Sequence, residues 1–212
     1  MLSQHADSDD PAPASAVTWV AMPHNSADTR RRLLDAAIDE FSANGLSGAR
    51  VQVIADNARA NKQAIYAYYG SKEGLFVAAF DDRIVHWREA IQFDEDDLPE
   101  SAGRMFDEYT RSPQTWQLMF WASIEEGGSR PPLPALSQMY EDYAERIRRA
   151  QDAGRVTARY SPPMILGLIR SLVLTWQVQA VELGARMPES LGVRRATIVE
   201  AIKTLLDDSA HS

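Results

Sequence analysis

No cysteine occurs in the 212 residues of this chain, so disulfides and thiolate metal sites are excluded. The four histidines, His5, His24, His86 and His211, stand far apart, without the local clustering of metal sites, and no metal is expected. A nucleophile motif, a metal cluster and a glycine-rich phosphate loop are all missing. Nothing therefore carries catalysis, and neither enzymatic activity nor a cofactor is expected. Long apolar runs are missing too. Residues 164–183 come nearest, but Arg170, Gln177, Gln179 and Glu182 make them too polar for a bilayer, so no membrane partner is expected. The acidic N-terminus lacks the charge pattern of an export signal, which points to the cytoplasm. No strand alternation survives, so the fold class is all-α.

Excess positive charge is also lacking. The net charge is −8, which on its face disfavours nucleic acid. Its distribution is uneven. Residues 28–73 carry seven basic and six acidic side chains, whereas residues 74–212 carry 15 basic and 21 acidic ones. Nucleic-acid binding depends on local charge, so residues 28–73 escape the objection.

Residues 51–76 are the most informative. Two short helical patterns sit there, with Ile54, Ala55 and Ala58 on the inner face of the first and Ile65 on that of the second. Helices crossing steeply over a tight turn need a small residue at the crossing, and Ala55 provides it. Asn61 suits an N-cap. The helix after it turns Lys62, Gln63, Ala64, Ala67 and Tyr68 outward, a slender polar surface that fits a DNA major groove.

Residues 1–27, rich in Ser, Asp, Ala and Pro, read as a disordered arm. A first helix starts near Asp28 or Thr29, carries the stripe Leu34, Ile38, Phe41, and stops at Asn44-Gly45. Arg30, Arg31 and Arg32 in its first turn are either a solvated helix end or a phosphate contact. Beyond residue 71 the pattern predicts a helix to about 93 and an acidic break over 94–99. Further helices follow over about 100–111, 113–126, 133–153, 161–186 and 190–207.

Residues 28–80 resemble the DNA-binding domain of the TetR (tetracycline repressor-like) family of transcriptional regulators. The resemblance rests on Arg32-Leu33-Leu34-Asp35-Ala36-Ala37, Phe41, Asn44-Gly45-Leu46, Val51, Ile54-Ala55 and Ala58. It continues through Ile65-Tyr66, Tyr69 and Ser71-Lys72-Glu73-Gly74-Leu75-Phe76. Three positions depart from the family pattern. Ala49 stands where a Thr or Ser cap is usual, Arg59 replaces the turn glycine, and Tyr69 replaces a phenylalanine. With a positive φ, Arg59 would carry strain.

The resemblance implies three regions: an arm (1–27), a helix-turn-helix domain (28–75) and a helical effector and dimerisation domain (76–212). It implies double-stranded operator DNA as partner, with Tyr66 and Lys72 on phosphates, Lys62, Gln63 and Tyr68 on bases or phosphates, and Arg50 and Gln52 at the groove edge. Lysine offers phosphate a point charge, and glutamine can pair bidentately with adenine. It further implies a homodimer through the last two helices, with Leu172, Ile198, Ile202 and Leu205 on the interface, and a small-molecule effector. Met105, Tyr109, Trp116, Met119, Phe120, Trp121, Tyr143, Trp176 and Gln177 could line its pocket or be plain core. The leading expectation is a repressor released from a near-palindromic operator by a small apolar or amphipathic molecule. The alternative is an effector-free helical DNA-binding or interaction protein.

Overall fold

The computed structural model describes residues 26–125, 131–178 and 190–207, and every regular element among them is a helix. These are α1 (Ser26–Gly48), α2 (Val51–Asn57), α3 (Lys62–Tyr69), α4 (Lys72–Ile91), α5 (Leu98–Arg111), α6 (Pro113–Ile124), α7 (Pro134–Asp152), α8 (Pro162–Leu174) and α9 (Leu191–Leu206). The expected arm lies outside the described residues, save Ser26 and Ala27, which already belong to α1.

Local chemistry explains the boundaries. The Asn61 side chain accepts from the Ala64 N–H at 2.8 Å, capping α3, and the Ser71 hydroxyl accepts from Gly74 at 2.9 Å, capping α4. α2 has no side-chain cap, as Ala49 implies. Instead Glu40, buried in α1, accepts the Arg50 N–H at 2.9 Å and anchors the start of α2 from behind. Gly45 sits inside α1 with φ +67, a left-handed break that the stop signal at Asn44-Gly45 anticipates. The helix expected over 161–186 is shorter. After Leu174 the N–H groups of Thr175 and Gln177 bond to carbonyls three residues back, at 3.3 and 2.9 Å, which tightens the ladder and ends α8. Residues 179–189 lie outside the described set.

An aromatic row along α4 connects the two halves of the core. Phe41 of α1 meets Phe76 edge-on at 5.1 Å, and Phe76 meets Phe80 at 5.9 Å. Two turns further on, Trp87 stacks on Tyr109 of α5 at 5.8 Å and leans on Tyr143 of α7 at 6.0 Å. Each such pair adds roughly 0.5–1.5 kcal/mol beyond its burial. α9 lies on α5 with Ile198, Ile202 and Leu206 buried. There Arg195 binds Asp107 at 2.8 Å and also pairs with Glu100. That pair of carboxylates holds the guanidinium's pKa well above its ordinary value.

Candidate nucleic-acid interface and effector region

α3 presents its expected surface. Ile65 is fully buried against the core, and Lys62, Gln63, Tyr66 and Tyr68 are exposed. Tyr66 (46% exposed) and Tyr68 (38%) keep a large part of their surface in solvent and can offer it to an outside partner. Tyr69, by contrast, belongs to the scaffold. Its hydroxyl donates to the Arg30 carbonyl at 2.9 Å, and burial pushes its pKa up.

The flanks are partly engaged. Lys72 is half-buried at the first turn of α4, its ammonium 3.4 Å from the Ser47 carbonyl oxygen, a weak tether that a phosphate can replace. Arg50 is exposed. Gln52 donates to Asp56 one turn on at 2.9 Å and must leave it to reach a base. Arg31 and Arg32 are tied to acidic neighbours, Asp35 and Asp82 for the first and Asp28 for the second. Arg30 lies over the Tyr69 ring at 5.7 Å. The turn between α2 and α3 has Arg59 at φ +51, so the family's glycine conformation is kept without the glycine.

α6 reaches the same reading unit from the other side. The Trp121 indole N–H donates to the Ser42 carbonyl at 3.0 Å. The Glu125 carboxylate accepts from the N–H groups of Leu46 and Ser47, at 3.2 and 3.0 Å. All three bonds fall around the Gly45 break. A Cβ there would stand 2.7 Å from the Glu125 carboxylate and 2.8 Å from the Trp121 ring, so the joint needs glycine for space as well as for φ. Sequence reasoning missed this joint, because nothing local marks residues 42–47 and 121–125 as partners. The Glu125 carboxylate is committed to the joint.

The nine expected effector-lining residues do not converge on one pocket. Tyr109, Trp116, Met119 and Phe120 line a cavity of about 60 Å³ together with Ser123, Arg170, Leu174 and Val178. Trp121 belongs to the joint. Tyr143 stacks on Phe93 at 4.1 Å and lines a separate polar cleft with Arg88, Arg104 and Arg146. Met105 is fully buried and does not line the cavity. Trp176 is half-buried beneath the Arg194 guanidinium, 5.1 Å from its centre, and Gln177 lies in the turn after α8. Sequence reasoning missed Ser123, Arg170, Leu174 and Val178, and of these Arg170 had its signal in plain view as the one charge in the apolar stretch of α8.

The expected interface residues also divide. Ile198 (3% exposed) and Ile202 (0%) point into the protomer's own core, so neither can meet a partner. The apolar stripe on α9 faces α5, and the expectation for these two is corrected accordingly. Leu172 and Leu205 instead line a surface groove between α8 and α9 with Ala201 and Thr204. Among the described residues, no group of acidic or histidine side chains is placed to hold a metal, and no helix is long and apolar enough to cross a membrane.

Comparison with known proteins accords with this geometry. Residues 33–79 match the family model "Bacterial regulatory proteins, tetR family", and residues 97–203 match "Tetracyclin repressor-like, C-terminal domain". The chain is 34% identical over 153 residues to the HTH-type transcriptional repressor SCO4008 of Streptomyces coelicolor, covering 71% of this chain and 78% of that one. The solved structure of SCO4942, also from Streptomyces coelicolor, superposes with a TM-score of 0.74 at 32% identity, covering 84% of this chain and 98% of its own. The Bacillus subtilis regulator FadR, solved in complex with stearoyl-CoA, shares the fold at a TM-score of 0.60 and 17% identity, over 82% of this chain and 97% of that one. This chain belongs to the TetR family of transcriptional regulators.

Proposed function

We propose that this regulator is a cytoplasmic repressor, bound as a homodimer to a near-palindromic operator and released from it by a small molecule. The carrying observation is the joint between α6 and the Gly45 break. It ties the helix that lines the cavity to the helix that supports the reading unit. The likeness to a protein described as a repressor supports the sign of regulation. FadR's complex with stearoyl-CoA supports a ligand inside this fold.

In this reading Tyr66 and Lys72 take phosphates, Lys62, Gln63 and Tyr68 meet bases or phosphates, and Arg50 reaches the groove edge. Gln52 joins them on leaving Asp56. The dimer face is the outward side of α8 and α9: Met164, Leu172, Val193, Ala201 and Leu205, among which Met164 and Val193 are at least half exposed. A two-fold dimer sets its recognition helices about 34 Å apart, or a small multiple of that. The cavity is too small to admit a ligand unchanged. Binding therefore moves α6, and α6 carries the strain through Trp121 and Glu125 to α1 and the reading unit. Release requires the ligand to favour the DNA-incompetent state by roughly 1–3 kcal/mol, and operator must weaken ligand binding by the same factor.

The test starts with genomic fragments selected by the purified protein, followed by a screen for compounds that release them. Any such compound is then titrated by tryptophan fluorescence with and without operator. Unequal affinities are expected; equal ones would remove the switch and leave an effector-free DNA-binding protein.

A further inference from the structure

Arg170 is the only charged residue of α8, whose inward face is otherwise Ile165, Leu166, Ile169 and Val173. No carboxylate of the described residues pairs with it, and its Nε is buried without a hydrogen-bond partner among them. Its charge lies over the Tyr140 ring, 4.9 Å from the guanidinium carbon, and beside the Tyr109 hydroxyl. Across the same small cavity the Trp116 indole N–H is also buried and without an acceptor. The Tyr109 hydroxyl donates to the weak acceptor sulfur of Met119, at 3.3 Å, and stands beside the Arg170 guanidinium. Burial pushes that hydroxyl's pKa up, against the opposing charge of Arg170. The lining thus offers donors and a positive charge, and no carboxylate. Donors buried in this way call for an acceptor.

We infer that the effector is an organic monocarboxylate with an apolar body, its carboxylate held by Arg170 and the Trp116 N–H and its body among Met119, Phe120 and Leu174. This rests on the ligand-released reading above and adds the ligand's class. A guanidinium meets a carboxylate by two parallel hydrogen bonds, which a neutral amide of the same shape cannot reproduce. The cavity's 60 Å³ equals about two water volumes, so the ligand must open it. Met119 is unbranched and Phe120 is 46% exposed, so both can give way. A second groove of about 300 Å³ along Tyr140, Ala144, Pro163 and Leu166 reaches Arg170 from the outer side. Glu141 on that groove repels a second anionic group, which favours one carboxylate over two.

The test uses the full chain and four probes: octanoate and phenylacetate, with octanamide and phenylacetamide as neutral isosteres. Affinity is read from tryptophan fluorescence and thermal shift. Each acid should bind at least tenfold more tightly than its amide. Arg170→Gln should erase that preference while leaving the circular dichroism unchanged. Should Arg170→Gln fold poorly, Trp116→Phe provides the second arm, with acids weakened several-fold and amides less so. Equal binding of acid and amide overturns the inference, as does a preference that survives both substitutions or no binding by any probe. A neutral compound that releases operator while the acids do not bind sinks this inference and leaves the switch standing. Acids that bind through Arg170 without altering operator affinity do the reverse.

Discussion

The reading unit and the effector half treat their buried polar groups differently. From Ser26 to Phe80, among the described residues, every buried polar side-chain atom has a partner: Glu40 accepts from the Arg50 N–H, Thr29 from the Arg32 guanidinium, and Ser42 donates to the Asp39 carbonyl. Beyond Phe80 the unpartnered atoms begin, at Asp81, Arg83, Trp87, Trp116, Tyr143 and Arg170. A buried donor without an acceptor costs about 1–3 kcal/mol. A fold tolerates several such groups where something else completes them or where rigidity is not wanted. One half is thus a closed part that must keep its shape on DNA, and the other is left open to an addition.

The largest effect should come from breaking the closed half. A Cβ at Gly74 would lie 2.1 Å from the Tyr69 carbonyl oxygen, a backbone atom held by the turn between α3 and α4. Gly74→Ala should lower stability by about 3 kcal/mol, since the clash cannot be relieved by a side-chain rotation. Urea unfolding of the full chain measures it. A loss under about 0.5 kcal/mol, the range of an ordinary surface change, would mean that the turn yields and the reading unit is less rigid than described.

Next comes the joint where the two halves meet. Glu125→Ala leaves the Leu46 and Ser47 N–H groups without their charged acceptor. For a half-buried site the cost should be about 2 kcal/mol. The sharper readout is functional: operator affinity in the absence of ligand should change little, while release by ligand should weaken. A variant that loses stability but releases normally would confine Glu125 to architecture and leave the coupling to the aromatic row along α4.

The comparison also explains what was legible in the sequence. The reading unit is built from short-range rules, such as Asn61 as N-cap, Ala55 at the crossing and Ser71 before α4, and each is visible within a few residues of where it acts. A non-local device, Glu40 accepting the Arg50 N–H where Ala49 offers no cap, went unread because the partners lie ten positions apart in different elements. The effector half depends on which faces meet. The stripe Ile198, Ile202 and Leu206 was visible as a stripe, but periodicity does not say whether it faces its own α5 or another subunit. Likewise Trp121 and Tyr143 looked like neighbours of Trp116 by residue type. Their helices turn them instead toward Ser42 and Phe93.

On the DNA-facing side, Lys72→Ala should lower the slope of log affinity against log salt by about one unit, the signature of one lost phosphate contact. Binding should weaken across operator sequences alike. Stability should shift by less than about 0.5 kcal/mol, since the 3.4 Å tether to Ser47 is weak. An unchanged slope in a folded variant would take Lys72 off the DNA backbone.

The smallest effect should have the opposite sign. Arg59 holds φ +51 in the turn between α2 and α3. For a residue with a Cβ this left-handed conformation costs roughly 1–2 kcal/mol, and glycine adopts it without that penalty. Glycine also gives the unfolded chain more freedom, which takes back about 0.4–1 kcal/mol. The side chain of Arg59 is exposed, so little packing is lost with it. Arg59→Gly should therefore stabilise the protein by about 0.5 kcal/mol, a rise in Tm of roughly 1–2 °C for a chain of this size. Because the turn sits beside the recognition helix, the same variant separates shape from charge. If the turn alone matters, operator binding is unchanged. If the guanidinium reaches a phosphate, affinity falls and the salt slope drops by about one unit even as Tm rises. A fall in Tm would show that the turn is relieved by the surrounding helices, and that this departure from glycine is not a strained one.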